Sequence, residues 1–433
     1  AGPAMAQSRE ENWKRCQDGN ADLSIGGCTA LIQSGRESNV DLATAFSNRC
    51  KSHADLGQLD RAMQDCDQAI KLNPSNASAF LNRSLVDYRK GDYDRTIQDC
   101  DQAIRLKPSL AAAFRNRGVA YFTKGQTDRA LQDFDQAIRL DASDASAFLG
   151  RGTAYSDKRQ YDRAIQDFDQ AIRLNPSFAA AFHARGGAFG NMGKQDRAIQ
   201  DYDQAIRLDS SNAVAFYDRG WIHHRQGDYG QAIEDYDQAI RLNPSNVDAL
   251  MNRGHAFERT GQFDRAAQDY ARAIPIYDQQ IRRNPSDSGA FFSRGNANMG
   301  TGQYDRAIED YGQAIRLNPS GSGAWNNRCW ARAIVGQMDQ ALKDCDESIR
   351  LAPKSATAFA GRGFVHLKAG RLDAAVADYD QALQLEARLP RSLYGRGIAR
   401  LRKGDTAGGN ADISAAKAIN ANVDAEMARY GVK

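Results

Sequence analysis

Cysteine is the residue type in this chain with the clearest potential for covalent chemistry. Six of the seven cysteines form three pairs of short spacing, 16 residues in two pairs and 12 residues in the third. Two thiols in such positions can form a disulfide only if the chain brings their Cα atoms to within about 7 Å. Cys100 is the odd thiol. The pairs are Cys50 with Cys66, Cys329 with Cys345, and Cys16 with Cys28.

The six histidines are the other candidates for chemistry, as metal ligands. His53, His223 and His366 recur at one place of the repeat described below, where other repeats carry tyrosine, so we interpret them as packing residues. His224 and His255 are expected to approach each other from neighbouring repeats. Protein zinc sites use three or four ligands, and no further ligand is evident, so we predict no metal.

Catalytic motifs are missing from the sequence. It contains no nucleophile elbow, phosphate-binding loop or zinc-binding spacing, and the serines fall in turns or at helix starts, where capping explains them. We therefore expect neither enzymatic activity nor a cofactor.

Charge and hydropathy exclude two further classes of protein. The 57 basic and 54 acidic side chains leave a net charge of only +3, which argues against a dedicated nucleic-acid binder. No apolar run approaches the roughly 18 residues that would span a bilayer, so we expect no membrane insertion.

A sequence repeat of 34 residues fills most of the chain and must position these residues. A motif of the form Asp-Arg-Ala-Ile-Gln-Asp-x-Asp-Gln-Ala-Ile-Arg-Leu begins at Asp162 and Asp196 and recurs with small changes elsewhere. The period gives six repeats over 43–246, a seventh of 41 residues over 247–287, and four more over 288–423.

Each repeat reads as a helix, a tight turn and an antiparallel helix. In the repeat at 111–144, Phe114, Gly118 and Tyr121 have helical spacing, Gly125 interrupts the pattern, and Ala130 resumes it. Glycine at the eighth place should face alanine at the twentieth, so that the two helices approach closely. A proline in most repeats then ends the second helix.

The aromatic residue at the fourth place, the small residues and the closing proline resemble the signature of the tetratricopeptide-repeat (TPR) family, bacterial type, over nearly the whole chain from Ala43. The resemblance implies an all-α fold, a right-handed α-solenoid (superhelix) of helix-turn-helix repeats that binds proteins. Two places depart from the family pattern. The seventh is arginine and the twenty-third aspartate in all eleven repeats, which we interpret as a hydrogen-bonded ladder between neighbouring helices rather than a binding surface.

In the TPR family, the second, fifth, ninth and twelfth places of each first helix form the concave face of the solenoid. On this chain they predict an apolar and aromatic groove, unless tight curvature buries it against neighbouring helices. The two-lysine, two-asparagine clamp of chaperone-binding relatives is absent. The predicted groove residues are Leu81, Leu85, Tyr88, Arg115, Phe122, Leu149, His183, Tyr217, Trp221, His224, Met251, His255, Phe292, Met299, Asn326, Trp330, Phe364 and Tyr394.

Exposed aromatic side chains favour a role in binding. Our first hypothesis is a non-enzymatic scaffold that holds a peptide or partner protein in the groove, anchored by Tyr217, Trp221 and Trp330. The alternative is a structural module that assembles with copies of itself into a homo-oligomer. RNA binding is disfavoured by the neutral charge, the closing prolines and the 34-residue period.

The repeat also gives the cysteine pairs a geometry. The eighth and twenty-fourth places are equidistant from the turn and face each other, and two of the pairs occupy these places. Disulfides would imply a periplasmic or secreted protein. Ala4-Met5-Ala6 is consistent with this, since it resembles the end of a cleaved signal peptide, although a cloning remnant would look alike. Cysteine as a buried filler in a cytoplasmic protein is the alternative.

The lengthened seventh repeat predicts the domain organisation. Its seven extra residues fall in the second helix, and Pro275 should kink that helix. We expect an N-terminal tail and half-repeat cap at 1–42, repeats 1–7 at 43–287, repeats 8–11 at 288–423, and a C-terminal capping helix at 424–433.

Overall fold

The computed structural model describes residues 8–433, and within this range the chain forms 25 α-helices and no β-strand. The all-α solenoid of paired helices is confirmed. The segment Ala4-Met5-Ala6 lies outside the described residues. The helices divide between two compact units, one ending at Ser210 and one beginning at Ser211.

The first unit contains the two cap helices and repeats 1–5. Its helices are α1 (Arg9–Cys16), α2 (Ala21–Ser34), α3 (Asn39–Asp55), α4 (Leu59–Leu72), α5 (Ala77–Lys90), α6 (Tyr93–Leu106), α7 (Ala111–Thr123), α8 (Thr127–Leu140), α9 (Ala145–Asp157), α10 (Tyr161–Leu174), α11 (Ala179–Asn191) and α12 (Gln195–Leu208).

The second unit contains repeats 6–11 and one further helix. Its helices are α13 (Ala213–Gln226), α14 (Tyr229–Leu242), α15 (Val247–Arg259), α16 (Phe263–Arg283), α17 (Ser288–Gly300), α18 (Tyr304–Leu317), α19 (Ser322–Ile334), α20 (Met338–Leu351), α21 (Ala356–Lys368), α22 (Leu372–Leu385), α23 (Pro390–Arg402), α24 (Thr406–Ile419) and α25 (Val423–Arg429).

The two helices of a repeat approach closely where the sequence supplies small residues. A Cβ atom added to Gly118 would lie 3.0 Å from the ring of Phe134 and 3.3 Å from the carbonyl oxygen of Ala130. Real Cβ atoms rarely approach that closely, so a side chain at Gly118 would have to displace the ring of Phe134. The alanine at the twentieth place, here Ala130, is fully buried.

Each hairpin turns at the fifteenth place of its repeat, where the backbone enters the left-handed region. Gly125 has a φ of 71° there, and glycine takes this conformation without a steric penalty. Arg159 occupies the same place in the fourth repeat with a φ of 58°, as the one described residue other than glycine with positive φ. A side chain in this region costs about 1–2 kcal/mol.

The predicted arginine-to-aspartate ladder is confirmed in all eleven repeats. In the fourth repeat, Arg151 donates from Nε and Nη2 to the two carboxylate oxygens of Asp167, at 2.8 and 2.6 Å. Its remaining Nη1 donates to Asp135 of the preceding repeat at 2.7 Å. The guanidinium also lies over the ring of Phe148, 5.6 Å from its centroid. One side chain thus joins the helices of its own hairpin and the neighbouring hairpin.

The lengthened seventh repeat keeps this network in register. Its second helix, α16, has 21 residues instead of the usual 14 and runs through Pro275 as one helix. Arg294 donates to Asp278 at 2.6 Å across the same 16-residue separation as Arg151 and Asp135. Seven residues nearly equal two helical turns, so the inserted segment brings a new aspartate to the old position. The kink at Pro275 stays a prediction. The predicted boundary at 287 falls inside the second unit and also stays a prediction.

The cysteines of each predicted pair lie opposite each other inside one hairpin. Their Cα atoms are 4.6, 5.4 and 5.5 Å apart, which is within the range of disulfides, and their sulfur atoms lie at bonding distance. All six side chains are buried. Cys100 is also buried, and burial raises the pKa of its thiol to about 12.

The ladder predicts unequal effects of two adjacent carboxylates in α18. Asp310 is 3% exposed and accepts hydrogen bonds from Arg294 and Asn298, whereas Glu309 is exposed. We expect Asp310→Asn to lower the free energy of unfolding by about 2–3 kcal/mol, because Arg294 loses one of its two carboxylates in a largely dry site. Glu309→Gln should change it by less than about 0.5 kcal/mol. Urea unfolding followed by circular dichroism measures both, and equal midpoints would contradict the structural role of the ladder.

The turn geometry predicts a stabilising substitution. Arg159→Gly should raise the free energy of unfolding by about 0.5–1 kcal/mol, because relief of the left-handed strain exceeds the entropy that glycine adds to the unfolded chain. The same change at neighbouring Lys158, whose φ is −77°, has no strain to relieve and should not stabilise. A lower urea midpoint for Arg159→Gly than for the unmodified chain would disprove this account.

Candidate binding site on the concave face

The first helices of successive repeats form the inner layer of the second unit, where α17, α19, α21 and α23 contact one another in order. Their concave places converge on a cavity of about 630 Å³. Both apolar and polar side chains line the cavity, and this combination is typical of ligand sites. The predicted groove residues that line the cavity are Met251, His255, Met299, Asn326 and Trp330.

Helix α25 closes this cavity. The side-chain amide of Asn422, at its start, donates to the carbonyl of Arg259 at 3.1 Å, and Arg429 donates to the carbonyl of Gly300 at 3.3 Å. These partners belong to repeats 7 and 8, although α25 follows repeat 11 in sequence. The helix expected to cap the array therefore lies along the concave face, bridging five repeats of the second unit.

Ionisable groups cluster where α25 meets the first helices. Glu426 of α25 forms an ion pair with Arg391 at the second place of repeat 11, and Arg429 lies 3.7 Å from Glu258. Burial raises the pKa of the Glu258 carboxyl, against the opposing effect of Arg391. Desolvation within the cavity also lowers the pKa of His255, which favours its neutral form. The cavity thus contains carboxylates and guanidinium groups that pair with each other.

An aromatic wall forms one side of the cavity. The ring of Trp330 stacks on Phe364 at a centroid distance of 4.0 Å, and Tyr430 meets the same indole edge-on at 6.0 Å. Phe364 and Tyr394 are 0% and 7% exposed, since they pack in one apolar cluster with Val423 of α25. The surface that these two residues were expected to offer to a partner is thus covered by the chain itself.

Repeat 6 places its predicted residues differently. Trp221 is 41% exposed and lies under the guanidinium of Arg225, 4.8 Å from the ring centroid. Tyr217 is half-buried, and burial raises the pKa of its hydroxyl to about 12. His224 approaches His255 as predicted, with ring centroids 6.2 Å apart. Burial, and then the neighbouring His255, lower the pKa of His224 to about 4.

The other predicted groove residues are half-buried. In the second unit, Phe292 packs against Tyr311 at a ring distance of 5.9 Å. In the first unit, Arg115 pairs with Asp144 at 2.7 Å. Their role as partner contacts stays a prediction. The seven in the first unit are Leu81, Leu85, Tyr88, Arg115, Phe122, Leu149 and His183.

The cavity-lining residues that sequence reasoning missed include Arg391, Tyr270, Glu426 and Tyr430. Arg391 occupies a second place and could have been found by the rule that predicted the other groove residues. Tyr270 belongs to the second helix of repeat 7, and its hydroxyl reaches the cavity past the small residues of the first helices. Glu426 and Tyr430 enter only because α25 turns back, which no repeat rule anticipates.

Residues 8–433 show no arrangement for two other kinds of site. No group of three or more histidine, cysteine, aspartate or glutamate side chains is arranged to hold a metal ion. None of the described helices is both long and apolar enough to cross a bilayer.

Among solved structures, the chain is similar to several proteins of low sequence identity. A structure of YrrB, described as a TPR protein with an unusual peptide-binding site, is 25% identical, covers 43% of this chain and 95% of its own, and has a TM-score of 0.34. A structure of MamA is 25% identical, with coverages of 38% and 96% and a TM-score of 0.36. The APC/C hetero-tetramer Cut9-Hcn1 is 13% identical, with coverages of 98% and 95% and a TM-score of 0.45. No curated protein matches the chain.

Family models match most of the repeats. Models described as tetratricopeptide repeat match residues 87–145, 115–177, 217–281 and 362–422, and also 43–76 and 289–320. A model described as TPR repeat matches residues 191–227. These matches cover well over half of the chain and agree with the helix pairs and the small-residue contacts, so the chain belongs to the tetratricopeptide-repeat family.

Proposed function

We propose that this chain is a protein-interaction scaffold that holds a peptide or a helix of a partner protein against its concave face. Membership of the TPR family supports the general role. The polar cavity and aromatic wall of the second unit support the location.

The observation that carries the proposal is the exposure of Trp221. Tryptophan is large and apolar and is seldom left on a surface without a purpose, and tryptophan and arginine are enriched at binding hot spots. Trp221 lies at a ninth place, with Arg225 over its ring. A partner side chain that covered this pair would bury a large apolar area and could satisfy the free edge of the guanidinium.

Trp221→Ala should remove partners from a pull-down with the native cell extract, because it deletes the largest exposed apolar side chain of the concave face. Leu317→Ala is the matched control, since Leu317 is equally exposed, at 41%, but lies at the end of a second helix. We expect the control to keep the partners that Trp221→Ala loses, with a loss of at least about tenfold in recovery for a hot-spot residue. Recovery of the same partners by both variants would refute the anchor.

The alternative, assembly with copies of the same chain, predicts a different result in solution. Its mass, measured over a concentration series, would rise with concentration, whereas the scaffold should remain monomeric. A strict monomer excludes self-assembly.

We further propose that the three cysteine pairs are disulfides and that the protein works in an oxidising compartment such as the periplasm. The support is geometric, since each pair is buried within one hairpin at Cα distances of 4.6–5.5 Å. Closing loops of this size stabilises a fold by about 3 kcal/mol in the chain-entropy model. Three such links would make the first cap and two of the repeats resistant to local unfolding.

Thiol counting under denaturing, non-reducing conditions tests the disulfides. We expect one reactive thiol, Cys100, in protein prepared from its native compartment, and seven after reduction. Seven thiols before reduction would disprove both the disulfides and the oxidising compartment. Cys100→Ser supplies the control, because the count before reduction should then fall to zero.

A further inference from the structure

Helix α25 binds the concave face as a ligand would, through an apolar side and a charged side. Its apolar side consists of Val423 and Met427, both fully buried. They pack in the cluster that contains Phe364, Tyr394 and Ile398, all at fifth or ninth places of repeats 10 and 11. The residues predicted to receive a partner therefore receive a segment of the same chain.

The charged side of α25 matches the groove at specific atoms. Glu426 accepts from Nε of Arg391 through one carboxylate oxygen and from the Asn420 amide through the other, at 3.0 Å. Lys368 donates to the carbonyl oxygen of Tyr430 at 3.0 Å. A carboxylate followed four residues later by an aromatic residue thus meets a groove that supplies cations.

We propose that α25 is an internal ligand of the concave face of repeats 7–11, and that the external partner is a short amphipathic helix that displaces it. The partner helix carries the α25 pattern: an apolar residue, an acidic residue three positions later, an apolar residue next to it, and an aromatic residue three positions further. This inference rests on the proposed function and names its partner class.

Displacement is feasible because α25 is a weak helix by itself. It has only seven residues, and isolated helices below about 12 residues are marginal in water. Its cap residue Asn422 makes no side-chain capping hydrogen bond to the first turn of the helix. Only residues 420–422 connect it to α24, so tethering holds it at an effective concentration in the millimolar range. A longer partner helix with the same pattern can bind tightly enough to displace the tethered α25.

The cavity beneath α25 offers contacts that α25 does not use. Oδ1 of Asn326 is buried and accepts no hydrogen bond from any described residue, and Nε of Arg259 donates none within the same part of the chain. Both side chains line the cavity. A partner that reached deeper than α25 and drew these two side chains toward the cavity would pair with them and gain affinity over the internal helix.

The test uses the full chain and a fluorescent synthetic peptide of residues 420–432 as probe. Met427→Asp places a charge in the apolar cluster and should release α25, whereas Ala425→Asp adds the same charge on the exposed side of α25. If α25 leaves the face open in 10% of molecules or fewer, release raises the apparent affinity for the peptide about tenfold or more. Glu426→Ala, which keeps the apolar contacts, should give a smaller gain in the same direction.

A charge reversal tests the site of binding. In the Met427→Asp chain, Arg391→Glu should weaken binding of the peptide at least about tenfold, and a peptide carrying Glu426→Arg should recover it. Equal peptide affinity of the Met427→Asp and Ala425→Asp chains, or indifference to Arg391→Glu, would overturn the proposal. Dimerisation of the unmodified chain that is lost on Met427→Asp would overturn it as well, because the occupant would then be α25 of a second copy.

The two proposals fail separately, since Trp221 is not among the residues that line the cavity. Loss of native partners by Trp221→Ala without any gain in peptide binding on release of α25 would leave the scaffold and remove this inference. The opposite outcome is also informative. If peptide affinity increases on release of α25 as predicted while Trp221→Ala keeps every partner, this inference is supported and the anchor at Trp221 is removed.

Discussion

The rest of the fold depends on the hydrogen bonds that the arginine at the seventh place makes to aspartate. Its bidentate bond to the aspartate sixteen residues later fixes the angle between the two helices of a hairpin. In most repeats its third nitrogen bonds the preceding hairpin, as Arg151 does with Asp135. Small residues let the helices approach each other, but they do not determine the relative orientation of the helices. The planar guanidinium group, with five donors, determines it, because two carboxylates can satisfy those donors only in one geometry.

The lengthened repeat shows how strongly this network constrains the chain. Seven residues can enter α16 because they carry Asp278 to the place of the missing carboxylate. An insertion of five residues would turn that carboxylate by about 500° instead of about 700°, well away from Arg294. The ladder thus tolerates changes in length only in steps that restore its second acceptor. Gly312 supplies no carboxylate to the next repeat, and there Asp344 takes bonds from both Arg328 and Arg332.

With the scaffold fixed by buried ion pairs, the concave face is free to vary. The first helices present Trp221 to solvent, neutral histidines to each other, and a mixed set of asparagine, glutamate and aromatic side chains to the cavity under α25. Helix α25 covers the most apolar part of this face and so shields an aggregation-prone apolar surface from solvent. In the proposed mechanism, binding at this face is coupled to the position of α25.

The sequence by itself determined the repeat, the helix pairs, the ladder and the cysteine partners. Each of these follows from contacts within about 34 residues, so a fixed period is enough to place Arg151 opposite Asp167 or Gly118 against Ala130. It also predicted the approach of His224 to His255, because the twelfth place of one repeat and the ninth place of the next both face the groove. Only the tertiary structure decided which concave residues remain open. Phe364 and Tyr394 have the same places in their repeats as exposed Trp221 and half-buried Tyr217, yet they are buried because α25 returns to repeats 7 and 8 from 129–163 residues away. The physical reason is that a periodic pattern encodes nearest-neighbour contacts, whereas the position of a helix outside the repeat depends on long-range complementarity of shape and charge.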